Sequence, residues 1–367
     1  MKRELALRLL DAIMQWDVVR ASEEFAWLSL MSRLKYDGYS DFVAGVRFIE
    51  SLADWLQQFD SQAEREAAYK FVRLHLVYVD SAQMSHLVEL VYPETVRRHL
   101  VSAVASSLGI PSYRVWTQPG AAEKYRALLR RTLFLGLSDG ARLDTFRRAN
   151  VGVVSHEQIV TAYEINDEKW NSLLKELREE TGDPSARFAF VYLVDDFFGS
   201  GMTLLRPGDG GKWEGKMANF WDQIRNVRTT HFTDDWVLCV HHYITTHKAS
   251  VAVSQRQRAV LEARGSDWFQ RVEFSFGMVL PGNLPLDRSR FSEFLKLVDK
   301  YYDPAIRTKP MTVGGTDGRL GFNDCALPLV LEHNTPNNSV ALLWAETPGE
   351  DGHPAMRPLF RRRQRHS

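Results

Sequence analysis

The pattern of apolar positions changes character near residue 108. Before it, apolar residues recur at spacings of three and four. Leu5, Leu9, Leu10, Ile13 and Trp16 fall on one stripe, and Phe42, Val46, Ile49, Leu52 and Trp55 on another, the signature of amphipathic helices with one buried face. Residues 64–79 and 84–107 continue the pattern, and Pro93 is expected to open a new helix at its first turn. The run LGIPSY at 108–113 carries the Gly and Pro that break such a pattern. Beyond it lie short apolar runs without alternation at 131–137, 188–194, 236–243 and 272–276, with further candidates at 328–331 and 340–344. Helices are predicted between them, over 254–264 and 290–302. Strands apolar on both faces and separated by helices predict a parallel sheet covered on both sides. The expected organisation is a helical N-terminal domain (1–110), an α/β domain (111–345) and a basic tail (346–367), the last poorly ordered and carrying Arg357 and Arg361–Arg363.

Composition narrows the function classes. The chain of 367 residues has 46 Lys+Arg against 46 Asp+Glu, so it lacks the basic excess of a generic polyanion binder. The basic tail has no aromatic interleaving, and direct nucleic-acid binding is not expected. Two cysteines exclude a disulfide framework, and no Cys/His spacing marks a structural zinc. Cys239, inside an apolar run, reads as a small buried residue. His231, His241, His242 and His247 cluster in sequence, but on a strand His241 and His242 point to opposite faces, a poor metal pair. The opening residues interleave charges with apolar positions and no run reaches the length of a membrane span, so a soluble, cytoplasmic protein with no membrane partner is expected.

The strongest chemical signal is VYLVDDFFGSGMT at 191–203. A buried parallel strand delivers Asp195 and Asp196 to its carboxyl end, where ligands bind in open α/β sheets. Gly199, Ser200 and Gly201 then form a small-residue loop whose amides approach an anion. Met202 and Thr203 come next, with the Thr203 hydroxyl expected close to the start of the next helix, where the dipole favours phosphate. Carboxylates beside such a cradle suit a ribose phosphate. The acids take the 2′- and 3′-hydroxyls and the loop holds the 5′-phosphate. The plainer alternative is a Gly turn with an incidental acidic pair; a Walker-type loop is disfavoured because no GK[ST] occurs here.

This stretch resembles the PRPP-binding motif of type I phosphoribosyltransferases. Each defined element is present: the apolar strand, Asp195–Asp196, Phe197–Phe198, Ser200, Gly201 and Thr203. A second segment, RTLFLGLSDGAR at 131–142, is a strand followed by a tight turn of Ser138, Asp139 and Gly140, and then Arg142. In the phosphoribosyltransferase arrangement an earlier strand ends in a loop that wraps pyrophosphate, and Arg142 is suited to phosphate oxygens; a surface turn with an exposed arginine is the alternative. A third segment, HNTPNN, places Asn334 and Asn337 between two apolar runs. It is either a hairpin turn or an amide-rich element facing a nucleobase or a partner.

The order of these segments behind a helical region resembles the phosphoribosyltransferase-like family of bacterial conflict systems, found in antiviral loci and some retrons. The resemblance implies a type I phosphoribosyltransferase-like sheet preceded by an all-helical domain. It implies an antiphage effector that binds PRPP or a related ribose phosphate and makes or breaks a glycosidic bond, as a glycosyltransferase or a related nucleotide glycosidase. The alternative is a catalytically silent nucleotide- or PRPP-sensing, partner-binding subunit of a defence complex. Asp195, Asp196 and Arg142 are the catalytic candidates. Magnesium is expected with the pyrophosphate, near Asp195 and Asp196, and a protein or ribonucleoprotein from a defence locus is the expected partner. One departure bears on activity: where many purine enzymes place an acidic general base, this chain has Gly199.

Overall fold

The computed structural model describes residues 3–40, 42, 47–161, 165–307, 315–350 and 352–362. Val46 and Arg363, singled out above, lie outside them. The chain divides into two compact units, Met1–Met84 together with Pro281–Ser367, and Ser85–Leu280. Nine strands run through the described residues: β1 (Val77–Val79), β2 (Thr132–Gly136), β3 (Ile159–Val160), β4 (Phe188–Phe198), β5 (Arg206–Pro207), β6 (Trp213–Glu214), β7 (Phe232–Thr246), β8 (Val272–Leu280) and β9 (Leu329–Leu331). Among those residues no helix is long and apolar enough to cross a membrane.

The first unit is mainly helical, with helices Arg3–Met14, Val18–Leu34, Phe48–Gln57, Gln62–His75 and Ser292–Lys300. Their starts are written in the sequence. The Asp17 side chain accepts from Arg20 N, and Ser61 with Glu64 forms a reciprocal capping box. Ile49, Leu52 and Trp55 of the predicted stripe are buried on the third helix, joined by Phe48, while Phe42 lies before its start. The first helix differs: Leu10 and Ile13 are buried, but Leu5 and Leu9 are exposed, and Ala6, Leu7 and Met14 complete the buried face.

The expected ranges 1–110, 111–345 and 346–367 do not coincide with the two units. Phe294, Leu297 and Val330 return to the core that holds Trp55 and Phe71, and Met356, Leu359 and Phe360 are buried in it as well. Residues 356–360 are therefore packed into the fold and not part of a loose tail. Two local expectations also change. Residues 77–79, read as the end of a helix, form β1, which pairs in parallel with β9; Val77, Tyr78 and Val79 are two β-branched residues and an aromatic, types that favour a pleated surface. Residues 340–344, read as a strand, contain the short 3-10 helix Ala341–Leu343.

The second unit carries a five-stranded, wholly parallel sheet in the order β3-β2-β4-β7-β8, flanked by helices. The 188–194 run lies in its central strand, as expected, but that strand continues to Phe198. On one face Leu133, Leu135, Val191, Leu193, Leu238 and Val240 pack in a core with Trp170, Leu177, Trp221, Val253 and Trp268. Pro93 does not open a helix. It sits in a π-helical turn, Val91–Val96, between helices Ser81–Leu90 and Arg97–Leu108, where a wider turn accommodates the missing N–H. The connections set the functional geometry. The chain leaving β2 goes to β3 on one side, and the chain leaving β4 goes to β7 on the other. The carboxyl ends of β2 and β4 therefore flank a topological switch point, the crevice where open α/β sheets bind ligands.

Candidate functional site

Both segments singled out for chemistry emerge at this switch point. Gly136 pairs with Val194 in register, and Leu137 N donates to Val194 O at 2.8 Å, so the 138–142 and 195–203 segments leave the sheet side by side. Ser138, Asp139, Gly140, Arg142, Asp195, Asp196, Gly199, Ser200, Gly201, Met202 and Thr203 all belong to these two segments. Asn334 and Asn337 belong to the first unit. There Asn334 exchanges backbone bonds with Leu331, and Asn337 O accepts from Phe322 N.

Because β4 runs on through both acids, alternation sends them to opposite faces. Asp195 is buried, 5% exposed. Its Oδ1 accepts from the Ser138 hydroxyl, and its Oδ2 accepts from Lys216 Nζ at 2.6 Å. Burial pushes its carboxyl up and Lys216 opposes the shift; burial outweighs the ion pair. Asp196 is half-buried and faces Gly140. A methyl group built on Gly140 would stand 2.3 Å from Asp196 Oδ2, so only glycine lets the two segments approach this closely. Asp196 Oδ1 accepts from Phe197 N at 2.7 Å.

Arg142 closes the first segment in the left-handed region, at φ 47°. Burial pulls its guanidinium down and Asp196 pushes it back up, leaving a cation beside the second acid. The Tyr243 hydroxyl, from β7, donates to Ala141 O and fixes the turn from behind.

Beyond the small-residue loop the chain departs from expectation. No helix begins after Thr203. The chain turns once, forms the β5–β6 hairpin, and enters helix Lys216–Ile224 only then. The first amides of that helix are already used: Lys216 N donates to Thr203 O and Met217 N to Leu204 O, each at 3.0 Å. The helix dipole therefore stabilises the turn rather than opening directly on a ligand. The remaining carbonyls also point inward. Ser200 O accepts from Arg256 and Met202 O from Arg206, while Gly201 O accepts from Leu205 N. The turn also closes on itself, since Met202 N donates to Ser200 Oγ at 3.4 Å. Gly201 is required for it, at φ 78° with Arg256 Nη1 2.6 Å from where a Cβ would stand. Gly199 is held by Thr246, whose hydroxyl donates to its carbonyl at 2.7 Å.

Lys216, Tyr243, Arg256 and Thr246 are the residues that sequence reasoning missed. Lys216 lies beyond a Gly-rich hairpin and the other three on β7 and the helix after it, with no spacing that ties them to Asp195. His241 and His242 do point to opposite faces. His242, in register with Asp195, stacks on Phe198 at 4.6 Å, and burial lowers it to about 3. His241 bonds Ser275 at 2.9 Å and is lowered to about 4 for the same reason.

A family model described as PRTase-CE matches residues 52–362. Comparisons with curated proteins and with solved structures found no match.

Proposed function

The chain belongs to the PRTase-CE family, and from that premise we propose that this phosphoribosyltransferase-like protein binds PRPP or a related ribose phosphate in the crevice between β2 and β4 and makes or breaks a glycosidic bond at C1′. The observation that carries the reading is the convergence, at one switch point, of two carboxylates, a tight glycine-containing turn and a loop that ends in Arg142. In this reading the turn of Ser200, Gly201, Met202 and Thr203 holds the 5′-phosphate. Asp196 meets the ribose hydroxyls while Asp195, held by Ser138 and Lys216, fixes the two segments beside it, and Arg142 with the Asp139 amide receives the diphosphate. Rate enhancement then comes from charge placed around an oxocarbenium-like centre and the departing diphosphate. We assign the protein to an antiphage defence locus on family resemblance.

Magnesium does not fit as a resident ion on Asp195. Both oxygens of that carboxylate are engaged, one of them by the ammonium of Lys216, and a second cation there would meet like charge. Magnesium belongs in this reading with the incoming diphosphate, near Asp196, as is common for an ion that keeps its waters and binds through phosphate.

The same ion pair favours a second reading, a silent PRPP sensor, since Asp195 is held by its own chain and Gly199 supplies no general base. Calorimetry with PRPP, followed by an assay for released pyrophosphate, separates the two. Binding with release supports the enzyme, and binding without release supports the sensor. PRPP affinity unchanged in a folded Asp195→Asn/Asp196→Asn variant contradicts both.

A further inference from the structure

The middle of the same sheet carries a second, unrelated constellation. Tyr192, Cys239 and Glu273 stand on one rung across three neighbouring strands, since Tyr192 pairs with Cys239 and Cys239 with Glu273. Their side chains therefore share a face, and helix Arg97–Leu108 lays His99 over them. His99 Nδ1 is 2.8 Å from the Tyr192 hydroxyl and 3.8 Å from Cys239 Sγ, while its Nε2 is 3.4 Å from Glu273 Oε2. A ring nitrogen of His99, the Cys239 sulfur and a Glu273 oxygen all lie within 4.8 Å of one another, the one such group of metal-binding side chains among the described residues. A cavity of about 590 Å³ opens on this cluster, walled by His99, Glu273, Lys124, Arg131, Asp235 and Arg271.

We propose that His99, Cys239 and Glu273 are the ligands of a divalent transition-metal ion of the zinc class, with the remaining coordination position open to the cavity. The donor set decides the class. One thiolate, one imidazole and one carboxylate suit zinc and are foreign to magnesium or calcium, which take oxygen. A tetrahedral zinc holds such donor atoms about 3.4–3.6 Å apart, so closure onto the ion requires a shift of roughly 1 Å. Glu273, an exposed and flexible side chain, supplies it. Cys239 is fully buried behind His99, and the ion replaces its thiol proton, which is released to solvent. Tyr192 holds His99 at Nδ1, the supporting contact that fixes ring and tautomer of a metal-binding imidazole, and leaves Nε2, the nitrogen beside Glu273, for the ion. Three protein ligands and an open fourth position are the arrangement of zinc sites that activate water or bind a substrate group. The rung lies three residues before Asp195 along β4, and the proposal is independent of the ribose phosphate reading.

Cobalt(II) is the probe, titrated into the full-length protein under reducing conditions. The expected result is a thiolate-to-cobalt charge-transfer band saturating at one equivalent and displaced by zinc. With only two cysteines in the chain, assignment is direct: the band survives Cys325→Ser and disappears in Cys239→Ser. Glu273→Gln changes an exposed side chain and leaves the fold intact, so it tests the site even if the buried cysteine variant fails to fold; it should weaken cobalt binding at least about tenfold. Absence of a thiolate band at saturating cobalt overturns the site. So does a band that persists in Cys239→Ser, or cobalt affinity unchanged in Glu273→Gln.

Discussion

The two faces of the carboxyl end of β4 receive identical residues and make different things of them. On one face Asp195 is buried among Ser138, Lys216 and His242, its charge answered by its own chain. On the other, Asp196 is half-exposed against Gly140 and Arg142 at the mouth of the crevice. Adjacent positions in sequence are opposite positions on a strand. The first acid thus holds the two segments together, and the second is the one that the proposed reading sets against the ligand.

Substitution at the buried face should have the largest effect on stability. Asp195→Ala leaves the Lys216 ammonium without its carboxylate and the Ser138 hydroxyl without its acceptor. A loss of about 3 kcal/mol is expected, at the low end for breaking a buried pair because Lys216 remains one-quarter exposed. Asp196→Asn should cost far less stability while weakening PRPP binding. Chemical denaturation of the two variants side by side checks this; equal losses would erase the distinction between the faces.

Acid should act on the buried face next. His242 is held neutral, its value lowered from 6.5 to about 3, and His241 to about 4. The unfolded chain binds these protons below about pH 6.5 and the folded chain does not, so stability present above that pH is lost as pH falls toward 4 and then 3. Each group contributes up to about 1.4 kcal/mol per pH unit. Asp195, raised by burial, opposes the trend where it titrates, because its folded form binds a proton more readily. His242→Gln should flatten the fall in melting temperature between pH 6.5 and 4 relative to the parent chain. An unchanged slope would mean that His242 is not buried as described.

The smallest effect belongs to the open face and removes no functional group. Gly140→Ala places a methyl 2.3 Å from Asp196 Oδ2, displacing the carboxylate by about an ångström. PRPP binding should weaken about tenfold, or about 1.4 kcal/mol, with little change in melting temperature. Full affinity in a folded Gly140→Ala variant would show that the position of Asp196 is immaterial.

Contiguous chemistry is legible in the sequence and assembled chemistry is not. The run at 188–194 declares a buried central strand because no polar residue interrupts it, and the paired acids lie next to it in the same peptide. The chain beyond Thr203 is harder to read, since Gly208, Gly210, Gly211 and Gly215 signal a loop but not that a hairpin separates the turn from its helix. Residues 77–79 and 340–344 are too short for periodicity to separate strand from helix. The late segment 281–362 gives no sign that it packs with the first helices, because apolar pattern reveals burial and not the partner. Lys216 has no sequence signature at all, and His99, Cys239 and Glu273 meet only because two neighbouring strands share a rung beneath one helix.

The central claim is that the 138–142 and 195–203 segments form one site that reads both ends of PRPP. It is tested most directly by the affinities of Arg142→Ala for PRPP and for ribose 5-phosphate, measured by calorimetry against the parent chain. A charge-assisted bond to the diphosphate is worth roughly 1.5–3 kcal/mol, so the account predicts a loss of about ten- to a hundred-fold for PRPP and little change for ribose 5-phosphate. Equal losses for the two ligands, or none for PRPP, would contradict it.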